Sequence, residues 1–299
     1  MSPQLHGVLT ALATPFTADG EIDAARLRLL VDRSVDGGVD GVVACGSTGE
    51  FAALSTQERR LVVETVVEHA GRRVPVVAQT GATSTAEAIR LSRHAQECGA
   101  DVLMVVAPYY EQLTLGETAR YFRTVAESVE LPVMLYNYPA ATGVNLDPET
   151  VGTLARDVEN IRYIKDSSGD MHQAAQLIHE LGEDITAIIG ADTLVLAALT
   201  EGATAVMAGT ANLLPREIVA VHRAVAAGDF AAARAEWNRI YPLINAISSA
   251  PYVPAVKAAL GILGLPIGAP RRPTADLDAA LLTRIEKLIA ELQLEAANA

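Results

Sequence analysis

The chain is expected to fold as a closed (β/α)8 barrel, an α/β fold, with appended C-terminal helices, and three observations lead there. Short apolar runs alternate with longer amphipathic stretches over residues 1–228, the pattern of parallel strands and their covering helices. The runs number eight, the count that closes such a barrel. No Gly-rich dinucleotide fingerprint follows the first run, which removes the main support for a doubly wound open sheet.

Taken in order, the first run is 7–13, followed by an amphipathic helical pattern over 24–35. The second is 41–45, then a helix over 56–69; the third is 74–79, then a helix over 85–97. The fourth, 102–107, is apolar throughout, as a strand buried on both faces must be, and a helix over 115–128 follows. The fifth, 133–136, precedes a helix over 148–156, and the sixth, 161–165, one over 171–181. The seventh, 185–189, and eighth, 205–208, are followed by helices over 193–200 and 215–226. Residues 229–299 show only helical patterns, over 230–247, 252–263 and 277–294. Pro266, Pro270 and Pro273 mark a breaker loop, but nothing reads as a linker between separable domains. The expected organisation is therefore a catalytic barrel over 1–228 and a helical extension of the same domain over 229–299.

Composition narrows the function classes. The chain has 299 residues, half of them hydrophobic, enough for a large core. A formal net charge of −13 without a Lys/Arg run argues against binding nucleic acid or an anionic membrane, both of which need clustered cations. No apolar stretch reaches the roughly 18 residues of a membrane span, and no charged and apolar leader opens the chain, so a cytoplasmic location is expected. The two cysteines, Cys45 and Cys98, lack disulfide or metal spacing and are expected to be reduced and buried. None of the six histidines shows ligand spacing, so no metal is expected.

Active sites of such barrels lie at the C-terminal ends of the strands, so the residues closing each run are the candidates for chemistry. Lys165 closes the run Ile161-Arg162-Tyr163-Ile164 and is followed by Asp166-Ser167-Ser168-Gly169. An amine in a poorly hydrated place at a strand end is suited to attack a carbonyl and form a Schiff base, though most lysines at strand ends are only solvated. Its company raises the functional reading. After the second run, Gly46-Ser47-Thr48-Gly49-Glu50 sets two hydroxyls between glycines, where side-chain and backbone donors converge on a carboxylate; the plain alternative is an ordinary strand-to-helix turn. The fourth run ends in Pro108-Tyr109-Tyr110 and the fifth in Tyr136-Asn137-Tyr138-Pro139, phenols that either relay protons or plug a core. Beside an imine-forming lysine, Tyr136 is the first choice for proton transfer. Gly190 and Gly209, closing the seventh and eighth runs, permit close approach to a ligand, and Ser167 joins this ligand-binding set. Asp192 is either part of the site or a cap for the next helix.

As an ordered set, Thr14-Pro15-Phe16, the Gly-Ser-Thr-Gly-Glu loop, Pro-Tyr-Tyr, Tyr-Asn-Tyr-Pro and Ile-Lys-Asp-Ser-Ser-Gly-Asp resemble the dihydrodipicolinate synthase and N-acetylneuraminate lyase superfamily. The resemblance implies a homotetramer in which Lys165 forms an imine with pyruvate or another 2-oxo acid, with an aldehyde as second substrate and no cofactor. It implies further that Tyr136 relays the proton, that Ser47 and Thr48 with Gly49 hold the carboxylate, and that Tyr110 reaches into a neighbouring subunit's site. Dihydrodipicolinate synthases carry an arginine two residues beyond the proline of Tyr-Asn-x-Pro; here Ala141 stands there. A bidentate carboxylate clamp is thereby lost. Sialic-acid lyases use an acidic residue and a serine where this chain has Thr193 and Gly209. Tyr138 with Ala141-Thr142-Gly143 looks more like 2-keto-3-deoxygluconate aldolases. The first reading is therefore a pyruvate-dependent aldolase acting on a 2-keto-3-deoxy sugar acid. A 4-hydroxy-tetrahydrodipicolinate synthase, a sugar-acid dehydratase using the same imine, and a silent 2-oxo-acid-binding barrel stand behind it.

Overall fold

The computed structural model describes residues 4–293. Eight strands, β1 (Gly7–Ala11), β2 (Gly41–Ala44), β3 (Val76–Gln79), β4 (Val102–Val106), β5 (Val133–Asn137), β6 (Ile161–Asp166), β7 (Thr186–Ile189) and β8 (Ala205–Ala208), close into a barrel in sequence order, as expected. Between and after them run α1 (Ala24–Asp36), α2 (Thr56–Ala70), α3 (Thr85–Cys98), α4 (Leu115–Ala126), α5 (Pro139–Thr142), α6 (Pro148–Asp157), α7 (Met171–His179), α8 (Val195–Glu201), α9 (Pro215–Ala226), α10 (Phe230–Ser248), α11 (Tyr252–Ile262) and α12 (Ala279–Leu292). The residue where the last predicted helix ends, 294, lies outside the described residues.

Local chemistry sets these boundaries. Ser55 and Thr114 open α2 and α4 as capping boxes with Glu58 and Glu117, each satisfying backbone donors that helix starts leave orphaned. Gly71, Gly99 and Gly202 stop α2, α3 and α8 in the left-handed conformation. The strands are apolar along nearly their whole length, as parallel strands covered on both faces must be.

The chain packs as two compact units. One comprises residues 4–6 and Pro75–Met207 and carries β3 to β7 with their helices. The other comprises Gly7–Val74 and residues 208–293 and carries β1, β2, α1, α2 and α9 to α12.

Several boundaries differ from expectation, four of them for clear local reasons. β5 and β6 run one residue further, to Asn137 and Asp166, because these two pair in register across the strands. The predicted helix over 193–200 begins as a 3-10 turn, Asp192–Leu194; Asp192 lies inside it, and α8 itself has no side-chain cap. Four-residue α5, opened by Pro139 and closed by left-handed Gly143, is too short to leave a periodic signal. Both cysteines are free, but only Cys45 is buried; Cys98, on the last turn of α3, is half-exposed, against the expectation. Burial pushes the Cys45 thiol up to about 12. Among the described residues, no helix is long and apolar enough to cross a membrane.

Candidate active site

In the first unit, the parallel register pairs Tyr136 of β5 with Lys165 of β6, and Lys165 with Ile188 of β7. Laterally paired residues of neighbouring strands project to the same face, so the amine and the phenol ring meet. Lys165 is 5% exposed and its Nζ lies 4.2 Å from the centroid of the Tyr136 ring. Tyr136 in turn stacks on Tyr138, with centroids 5.9 Å apart and planes 11° from parallel. Burial pushes the Tyr138 phenol above the usual tyrosine range, and Tyr136 beside it adds to the rise.

Among the described residues, no carboxylate pairs with Lys165. The adjacent Asp166 turns away from it into a buried polar network. Asn137 Nδ2 donates to Asp166 Oδ1 at 2.8 Å, Ser168 Oγ to Oδ2 at 2.8 Å, and Gln173 Nε2 to Oδ1 at 3.2 Å. Asn145 completes the set, accepting from Asn137 and donating to Gln173, both at 2.8 Å. Burial pushes the Asp166 carboxyl up against these bonds, which pull it down. The run Asp166-Ser167-Ser168-Gly169-Asp170 thus has a local logic. Ser168 bridges Asp166 to the Asp170 N–H, Gly169 supplies a turn at φ +78°, and Asp170 caps α7 through the N–H groups of His172 and Gln173. The ends of β5 and β6 are locked together, and Lys165 is fixed as a consequence.

Gly190 packs against this amine. A Cβ there would fall 2.5 Å from Lys165 Cε and closer still to Ser167 Oγ, so only glycine leaves room for both. The buried Ser167 Oγ has no hydrogen-bond partner among the described residues, an uncommon state for a buried hydroxyl and one suited to a ligand atom.

In the second unit, Gly46 to Glu50 form a tight turn after β2. The N–H groups of Gly49 and Glu50 bond back to the carbonyls of Gly46 and Ser47, both at 3.0 Å, and Thr14 Oγ1 donates to the Gly49 carbonyl at 2.7 Å. The Gly49 N–H is thereby engaged inside the turn, next to Ser47 and Thr48 with their hydroxyls. Thr48 is buried and Ser47 half-buried. Gly209, after β8, makes room for them: a Cβ there would come 2.8 Å from Thr48 Oγ1 and closer to the Tyr252 hydroxyl. Asn212 fastens the Gly209 turn to the end of β1, donating to the carbonyls of Ala11 and Gly209 at 2.7 Å and accepting from Ala13 N–H at 3.1 Å.

The structure thus brings Tyr136, Tyr138, Lys165, Ser167 and Gly190 together in one unit, and Ser47, Thr48, Gly49 and Gly209 in the other. Tyr110 joins neither cluster; on the loop after β4 it is 85% exposed. Tyr252, at the start of α11 and remote in sequence from every strand end, went unread because helix-start tyrosines carry no motif.

The sequence model described as the Dihydrodipicolinate synthetase family matches residues 4–292. A 4-hydroxy-tetrahydrodipicolinate synthase of Syntrophus aciditrophicus (strain SB) is 40% identical over 86% of this chain and 88% of that relative. One from Sorangium cellulosum (strain So ce56) is 40% identical over 97% of this chain and 96% of its own. Among solved structures, YagE, a prophage protein of the dihydrodipicolinic acid synthase family from E. coli K12 crystallised with pyruvate, superposes with a TM-score of 0.93 at 34% identity, covering 98% of this chain and 100% of its own.

Proposed function

Since this chain belongs to the dihydrodipicolinate synthetase family, we propose that it is a class I aldolase in which Lys165 forms an imine with pyruvate and the derived enamine joins an aldehyde. The observation that carries this reading is Lys165 itself, buried without a carboxylate partner among the described residues and set over a tyrosine ring. A lone buried ammonium is costly to a fold, and an amine kept there is best explained by chemistry.

The steps balance without a cofactor. Lys165 Nζ attacks the keto carbon of pyruvate, and the carbinolamine oxygen leaves as water with a proton from Tyr136. Loss of a proton from C3 gives the enamine, which attacks the aldehyde carbon while the aldehyde oxygen takes up a proton. Hydrolysis of the imine then releases product and restores the amine. Ser47 and Thr48 hold the pyruvate carboxylate by hydroxyl donation, Ser167 donates to an oxygen of the bound adduct, and Gly190 and Gly209 leave it space. Tyr110, exposed on its own chain, extends into the site of another subunit of a homotetramer. In this reading the described residues up to 228 make up the catalytic barrel and 229–293 its helical extension.

The relatives' names favour 4-hydroxy-tetrahydrodipicolinate synthase activity over the sugar-acid reading that the sequence puts first. One observation favours the latter: Ala141, in α5, stands where the resemblance to such synthases implies an arginine for the aldehyde's carboxylate, with Tyr138 just before Pro139 at the start of that helix. Incubating the enzyme with pyruvate and aspartate semialdehyde, and separately with 2-keto-3-deoxy sugar acids, decides between them. Condensation with the semialdehyde at a kcat/KM at least tenfold above any sugar-acid cleavage supports the synthase. The reverse ratio assigns the sugar-acid reaction.

A further inference from the structure

A second lysine is buried in this protein, and the chemistry above leaves it unused. Lys257 of α11 is 4% exposed, and its Nζ lies 2.6 Å from Glu50 Oε1, 3.2 Å from the Ala269 carbonyl and 4.1 Å from the Phe16 ring centroid. The other carboxylate oxygen of Glu50 accepts from the backbone N–H of Arg271 at 2.8 Å. Arg271 itself is anchored by Glu58 at the start of α2, by the Gly20 carbonyl at 2.7 Å, and by the Phe16 ring, whose centroid lies 4.5 Å from its guanidinium carbon. Glu50 is therefore fastened at both oxygens to α11 and to the segment that follows it.

Glu50 is also the last residue of the turn that carries Ser47 and Thr48. It sits at φ 57°, and Cys45, just before the turn, at φ 59°. Both are left-handed, a conformation that residues with a Cβ hold only where their surroundings impose it. The turn's backbone hydrogen bonds, which include Phe51 N–H to the Gly46 carbonyl at 3.4 Å and Ala53 N–H to the Glu50 carbonyl at 2.8 Å, join it to its chain neighbours and Thr14, whereas the Glu50 carboxylate ties it to α11 and the segment after it. A buried ion pair, moreover, stabilises a fold little better than an apolar pair of the same volume, and its best-attested use is to specify one arrangement over others. Tyr252 comes from the same helix as Lys257 and reaches the Thr48 side of Gly209, so α11 bears on the turn at two places.

We propose that Glu50, fastened by Lys257, is a positioning residue that holds the Ser47 and Thr48 hydroxyls in the arrangement that receives the 2-oxo acid's carboxylate. The proposal rests on the reading of those hydroxyls given above. Glu50 touches no substrate and acts through the turn alone.

The test compares the parent with Glu50→Gln/Lys257→Met, which removes the pair while leaving no charge unpaired, and with Glu50→Gln, which leaves a single acceptor for two donors and Lys257 without its counter-charge. Three readouts are taken: melting temperature, amide hydrogen exchange of the peptide covering residues 46–51, and the pyruvate concentration giving half-maximal borohydride trapping on Lys165. In the pair variant, exchange at 46–51 should quicken at least tenfold and half-saturating pyruvate should rise at least tenfold. Trapping at saturating pyruvate should still reach the parent's extent, and Glu50→Gln alone should shift exchange and half-saturation in the same direction, by at least threefold. Should the pair variant not fold, Glu50→Asp keeps the charge pair and shortens the arm, and a rise of threefold or more in half-saturating pyruvate is expected. A folded variant with unchanged exchange and unchanged half-saturation would overturn the proposal. If the parent itself is not trapped by pyruvate, the imine reading fails separately, and the exchange measurement alone decides the positioning claim.

Discussion

Replacing Gly190 by alanine separates the site's chemistry from its stability. The added Cβ would fall 2.5 Å from Lys165 Cε and 3.1 Å from Lys165 Cγ, roughly 1 Å short of ordinary carbon–carbon contact at the first of these. The atoms in the way, Lys165 Cε and Ser167 Oγ, are the outer parts of side chains rather than backbone. The fold can therefore yield by turning the lysine, at a cost of about 1–2 kcal/mol, the lower part of the range for overpacking. The amine cannot yield so cheaply. A shift of about 1 Å at a reacting atom costs on the order of a hundredfold in rate. Gly190→Ala is expected to melt within about 6 °C of the parent, given how far 1 kcal/mol moves the melting temperature in a chain of this size. Borohydride trapping by pyruvate should slow about a hundredfold, and Ser167→Ala in the same chain should recover part of that rate by freeing space. Measured trapping rates and melting curves on the three proteins suffice. A Gly190→Ala protein trapped within threefold of the parent's rate would show that Lys165 does not work from the position described.

Three further expectations follow from other parts of the structure. Tyr136→Phe keeps the ring under Lys165 but removes the phenol, so turnover should fall by about 10²–10⁴-fold while slow imine trapping persists; near-normal turnover would remove Tyr136 from proton transfer. Asp166→Ala leaves Asn137 and Gln173 donors without their acceptor in a buried place and should destabilise the protein by about 1–3 kcal/mol in urea unfolding; an unchanged midpoint would mean the network is dispensable. Hydrogen bonding from Arg271 holds the Glu58 carboxyl down at about 2 from an ordinary 4.5, so its stabilisation is complete above pH 4.5 and is lost as the pH falls toward 2. After allowance for solvent screening this amounts to about 1–2 kcal/mol, and Glu58→Gln should flatten the melting temperature against pH in that window alone. A parallel displacement of the whole curve would contradict it.

The barrel was legible in the sequence because each strand is an unbroken apolar run stopped by polar or glycine residues, and because parallel strands are buried on both faces. The first half of the site was legible for the same reason: Tyr136, Lys165 and Gly190 close consecutive runs, and β5, β6 and β7 are neighbours whose register brings closing residues together. What escaped was contact made far along the chain. Lys257 in the middle of an apolar helix reads as a surface break in the pattern, yet it meets Glu50 from the other end of the sequence. Tyr252 reaches Thr48's neighbourhood by the same route. Donor accounting was equally invisible, since only coordinates reveal that the Gly49 N–H is turned onto Gly46. The cysteines divided on a finer point: Cys45 closes a buried strand, whereas Cys98 ends a helix whose last turn faces partly outward.

The central claim is that Lys165 is an imine-forming amine, and intact-protein mass spectrometry after incubation with pyruvate and borohydride, followed by peptide mapping, tests it most directly. One pyruvyl adduct per chain is expected, located on Lys165 and absent from a folded Lys165→Ala protein. An adduct elsewhere, or none under conditions that label a known Schiff-base aldolase to completion, would contradict it.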